Sequence, residues 1–142
     1  MRSSTFVLFF AVIAFTLISC GGDNTVRVVE KTYADGKENV VTYYSDDKDH
    51  VKIKEEVFYP DGKLQSEGGF QNNQRNGVWR VWYQNGNIWS EGEFIEGKAE
   101  GFRRVYYENG RMRYSGQYKN DQKTGEWTFY DENGKKIKVE KY

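Results

Sequence analysis

Cysteine, proline and histidine occur once each in this chain, as Cys20, Pro60 and His50. A lone cysteine excludes an internal disulfide. A lone histidine leaves any serine or cysteine nucleophile one candidate imidazole base, and His50 lies in the least regular part of the chain. Charge of one sign is missing too, with 21 basic against 21 acidic residues. No basic face accumulates, which argues against nucleic acid as a partner. Past Cys20 there is one leucine, Leu64, and one methionine, Met112, so helix formers are scarce. The longest apolar run, Phe6 to Ile18, falls short of the roughly 20 residues that a membrane-spanning helix needs.

Two acidic features resemble chemistry without supplying it. Asp46-Asp47-Lys48-Asp49 beside His50 lacks the alternating oxygens, glycine bend and distal carboxylate of a calcium loop, and reads as a solvated hairpin turn. Glu91 and Glu93 stand at period two on one strand, where pairing with Arg80 or Arg104 is the simpler expectation. No glycine-rich phosphate loop remains once the glycines are placed in turns and strands. The expectation is a protein without catalytic residues, metal or cofactor.

What is present divides the chain in two. The apolar run follows Arg2 and suits the core of a secretory signal. Leu17-Ile18-Ser19-Cys20-Gly21 resembles the lipobox of bacterial lipoproteins. That resemblance implies cleavage after residue 19, acylation of the Cys20 thiol, and a membrane held through lipid in the cell envelope. Gly21 after the cysteine favours the outer membrane. The leader spans residues 1–19, with the signal helix, and a tether spans 20–24.

The remainder is rich in strand formers, with all four tryptophans and all eleven tyrosines. It repeats every 24 residues. Gly62, Gly86, Gly110 and Gly134 form one column, each preceded by Asp or Asn; Gly68, Gly92 and Gly116 form a second; Gly77, Gly101 and Gly125 form a third. The first column marks tight turns. A two-residue type I′ turn competes there with a type I turn followed by a left-handed glycine, and Pro60 favours the latter. The second lies inside returning strands, where a neighbouring aromatic ring is expected across the bare backbone. The third is expected to open the next outgoing strand, after polar loops such as Gln71 to Asn76 and Lys119 to Thr124. The outgoing strands are Val78–Tyr83, Phe102–Tyr107 and Glu126–Tyr130.

Gly77-Val78-Trp79-Arg80-Val81-Trp82-Tyr83, Asn85-Gly86, Glu91 and Phe94 resemble the MORN repeat family, and within it the bacterial MORN-variant repeat. Gly125-Glu126-Trp127 through Asn133-Gly134-Lys135 match again, whereas Arg103 replaces the tryptophan of the middle unit. The expected fold is all-β, an antiparallel meander of repeated β-hairpins in one elongated sheet. Residues 58–142 carry the repeats and 25–57 form a degenerate cap. The expected function is a membrane-anchored scaffold for an unidentified protein or envelope polymer. The resemblance also implies an antitoxin or immunity role as an alternative, and exposed rings suggest glycan or peptidoglycan binding as another. Trp79, Trp82, Tyr83, Trp89, Tyr106 and Tyr107 are the candidate binding surface, weighed against a role as the core of a leucine-poor sheet.

Overall fold

The computed structural model describes residues 25–142; the expected leader, Cys20 and the 20–24 tether lie outside the described residues. The first five strands are β1 (Thr25–Thr32), β2 (Glu38–Ser45), β3 (Lys52–Phe58), β4 (Leu64–Gln71) and β5 (Gln74–Trp82). The rest are β6 (Ile88–Ile95), β7 (Lys98–Tyr106), β8 (Met112–Lys119), β9 (Gln122–Tyr130) and β10 (Lys136–Lys141). They form one open sheet in sequence order, each strand antiparallel to the next. The meander is therefore as the repeat implies.

From β3 onward two turn types alternate along it. At Pro60-Asp61-Gly62 the Gly62 amide donates to the Tyr59 carbonyl at 2.8 Å and the Tyr59 amide to Lys63 at 2.8 Å, with φ of +85° at Gly62. Pro60 presets the type I turn, and only glycine takes the following left-handed position without strain. Tyr83 to Asn87, Tyr107 to Arg111 and Asp131 to Lys135 repeat these bonds, which settles the competition in favour of the bulged loop.

The connections expected to be polar loops are instead two-residue turns. Asn72-Asn73, Glu96-Gly97 and Asn120-Asp121 each have positive φ at both positions, the type I′ pattern. The outgoing strands accordingly begin earlier, at Gln74, Lys98 and Gln122 rather than Val78, Phe102 and Glu126. Gly77, Gly101 and Gly125 lie inside them as left-handed bulge residues, with φ of +80°, +91° and +67°. Asn and Asp tolerate the left-handed region, so a composition that reads as a loop makes a hairpin.

The register sorts side chains onto two faces. One row runs Val57, Ser66, Val81, Ser90, Val105, Tyr114, Phe129 and Lys138 across neighbouring strands. The opposite row begins Val41, Glu56, Glu67, Arg80, Glu91 and Arg104. They are called the ring face and the ion-pair face. No second layer covers either, so few apolar side chains are buried: Val26, Val41, Trp79, Val105 and Trp127.

The glycine column inside the returning strands makes this burial possible. A Cβ on Gly68 would lie 2.1 Å from the Trp79 ring, and one on Gly116 would lie 2.2 Å from the Trp127 ring. Each indole lies flat on bare backbone and donates its Nε1–H to a carbonyl there, Trp79 to Gly69 at 3.1 Å and Trp127 to Gln117 at 3.2 Å. The expected beneficiary of the missing side chain is thus present in two of three units.

Candidate functional site

The six candidate aromatics do not form one platform. Trp79 is only 6% exposed, edge-on to Phe70 at 5.3 Å and to Phe94 at 6.5 Å, with the Arg75 guanidinium 4.2 Å above its ring. It is core. Trp82 alternates with Val81 and so faces the ion-pair side, as does Tyr106, whose hydroxyl donates to Glu91 at 3.0 Å. Burial pushes the Tyr106 hydroxyl pKa up, and the bond to Glu91 adds to the rise. Trp89 is the exposed one, at 44%, on the ring face 6.3 Å from Tyr83.

Tyr83 and Tyr107 are half-buried and hold neighbouring units together. The Tyr83 hydroxyl donates to the Tyr106 carbonyl at 3.0 Å and that of Tyr107 to the Tyr130 carbonyl at 2.9 Å. Tyr33 and Tyr59 do the same to Phe58 and Trp82, at 2.8 and 2.7 Å. Burial raises the Tyr83 pKa. Asp131 occupies the next position of this column and turns its carboxylate to the Asn133 and Lys135 amides of its own turn, so the ladder stops there.

On the ion-pair face Glu91 meets both expected partners, Arg80 at 3.5 Å and Arg104 at 3.2 Å. Glu93 does not pair with an arginine: its carboxylate accepts the Phe102 amide at 3.2 Å and fills the space beside Gly101. Lys54 bridges Glu56 and Glu67 at 2.8 Å each. These contacts satisfy charge across strands, and the carboxylates are not held as an acid–base pair. Asp47 caps its own turn through Ser45 and the Asp49 amide, with His50 at φ +42°. Among the described residues no group of three or more acidic, histidine or cysteine side chains could hold a metal ion.

The ring face is different in charge. Lys52 pairs with Glu55 and Lys138 with Glu140. Arg75, Arg103 and Lys123 have no carboxylate within 4 Å among the described residues. Arg75 and Lys123 lie over Trp79 and Trp127, at 4.2 and 4.6 Å, where an aromatic face stabilises a cation and long basic stems shield apolar surface. Arg103 stands where the third tryptophan would be, between Gly92 and Gly116 in register. With no Cβ on either side and no indole to fill the space, the sheet has a groove of about 380 Å³. Trp79, Trp89, Phe94, Arg103, Tyr114 and Tyr118 are among its walls. The departure of Arg103 from the column is visible in the sequence; the cavity it leaves depends on where the two neighbouring indoles lie.

A family model described as MORN repeat variant matches residues 53–72, 75–96, 99–120 and 123–142, more than half of the chain. No curated protein matches it. Among solved structures, a chain of a GtfA/B complex bound to UDP and GlcNAc aligns with 95% of this chain and 25% of its own, at 12% identity and a TM-score of 0.35. This chain spans only a quarter of that one, and so low a score supports no conclusion about fold or function.

Proposed function

We propose that this chain, which belongs to the MORN repeat variant family, is a lipid-anchored scaffold of the cell envelope that works by binding rather than catalysis. The repeat sheet is the scaffold. The ring-face groove at Arg103 is the observation that carries the binding reading, because there an arginine takes the position that a core tryptophan holds in the units on either side, and polar groups face solvent.

The apolar run and the Leu17 to Gly21 motif support anchoring through Cys20, with the outer membrane as the destination. A multiply acylated cysteine binds a bilayer far more firmly than a single chain does. Replacing Cys20 with alanine should move the protein out of the membrane fraction; a variant that remains there sinks the anchor. Crosslinking in intact membranes tests the scaffold, since a binding protein should be captured with a protein or with envelope polymer. Wild-type chain recovered alone at every crosslinker length counts against it.

A further inference from the structure

We infer that the groove over Gly92 is a binding site for an acidic sugar, a ring bearing both hydroxyls and a carboxylate. This rests on the scaffold reading above and names what one part of the scaffold holds. Five side chains lining the groove point to it. The Arg103 guanidinium has no carboxylate partner among the described residues, and it lies across Gly92, with Nη1 3.3 Å and Cδ 3.1 Å from where a Cβ would be. Arg75 lines the same groove and likewise lacks a carboxylate. A planar guanidinium in that state is suited to a carboxylate, which it holds through two parallel hydrogen bonds.

The tyrosines add the second requirement. Tyr33, Tyr43, Tyr44, Tyr59, Tyr83, Tyr106 and Tyr107 all donate their hydroxyls within the sheet. Tyr114 and Tyr118, which line the groove, make no such bond among the described residues, so their hydroxyls are available as donors and acceptors to sugar hydroxyls. Trp89 supplies an exposed ring face at the same groove, against which the C–H face of a sugar packs. The volume is within the range of small-ligand sites, roughly 300–1,000 Å³.

An acidic peptide would also satisfy the arginines. It fits less well, because β6, β7 and β8 are each paired on both sides and offer no open edge to which a peptide backbone adds. A sugar needs none.

The test uses the full chain in detergent and follows tryptophan fluorescence during titration with an oligogalacturonate. A neutral oligogalactose of the same length and a hexaglutamate peptide serve as the other arms. Saturable quenching by the oligogalacturonate alone is expected. Arg103→Gln should weaken it about tenfold, the cost of one charged hydrogen-bonded contact. Arg103→Trp should abolish it by filling the groove, while the fold is kept as it is at Gly68 and Gly116. Equal binding of the neutral oligomer overturns the carboxylate assignment, and binding of hexaglutamate alone overturns the sugar. No response to any probe overturns the inference; if membrane crosslinking then still captures a partner, the scaffold reading stands without it.

Discussion

Glycine at 68, 92 and 116 looks like one column but carries two different constraints. At Gly68 and Gly116 a methyl group would enter an indole already packed on the backbone, so the ring would have to lift off it and give up its burial. Gly68→Ala and Gly116→Ala should each lose about 3 kcal/mol, the scale of overpacking a buried aromatic. At Gly92 the nearest groups are the flexible Arg103 stem at 3.1 Å and the Phe102 carbonyl at 3.3 Å. Gly92→Ala should change stability by about 1 kcal/mol or less, because lost chain entropy in the unfolded state offsets the crowding. Urea midpoints at constant slope separate the three. A second contrast lies in the Asn-Gly turns. Asn85 and Asn109 accept the amide two residues on, at 2.9 Å each, and donate to Glu108 and Glu132 carbonyls. Asn133 makes neither contact, since Asp131 takes the Lys135 amide in its place. Among the three turn asparagines its side-chain amide is the one free to be attacked by the next backbone nitrogen, so isoaspartate should accumulate at Asn133 before Asn85 or Asn109 on ageing. Peptide mapping that finds Asn85 or Asn109 altered earlier would refute this.

At the scale of elements the hairpins were half legible. Pro60 and the Asp-Gly and Asn-Gly pairs identify the bulged turns, because proline and glycine each permit few backbone conformations. The alternate turns were not legible: Asn72-Asn73 and Asn120-Asp121 are left-handed pairs by tolerance rather than necessity, and polar composition alone does not distinguish them from loops. The tyrosine ladder was invisible for another reason. The hydroxyls of Tyr59, Tyr83 and Tyr107 each meet a backbone carbonyl 23 residues further on, and that of Tyr33 one 25 residues on, a separation that becomes contact only when the register of two hairpins is known. The ladder predicts that Tyr83→Phe costs about 1 kcal/mol, the usual net value of such a bond. Tyr130→Phe, whose hydroxyl makes no such bond, should cost close to nothing; equal losses would show that the rungs contribute little. The first hairpin has its own signature. Arg27 on β1 holds Glu38 on β2 through two bonds of 2.8 and 2.5 Å, and that hydrogen bonding keeps the Glu38 pKa below its ordinary 4.5. A lowered folded pKa means stability that is present above about pH 4.5 and lost as pH falls through the lowered value. Both side chains are partly exposed, so the effect is modest and salt-screened. Amide exchange in β1 should therefore accelerate in acid before that of β6, and Glu38→Gln should remove the difference.

Across the whole molecule every strand packs on its sequence neighbours, and the elements in substantial contact are the consecutive ones. Such a chain behaves as a one-dimensional array, in which stability is a sum over units and their interfaces. Removing one period should then leave a shorter protein that still folds, and the choice of residues 98–121 makes the expectation specific. The Glu96-Gly97 turn would lead directly into β9, so Trp127 would stand opposite Gly92 and lie on it as it now lies on Gly116. Tyr83 would find the Tyr130 carbonyl in place of that of Tyr106, and Asn85 the Glu132 carbonyl in place of Glu108. Glu91 would keep Arg80 and lose Arg104, a small cost for a partly exposed pair. The excised chain should unfold in urea as one transition, with a slope about one fifth lower in proportion to the surface no longer exposed. It should also lose the response to oligogalacturonate, because Arg103, Tyr114 and Tyr118 leave with the deleted unit and an indole closes the groove. A variant that cannot fold would mean that contacts beyond nearest neighbours hold the sheet. One that folds and still binds would place the sugar site elsewhere, on the rings of the remaining units.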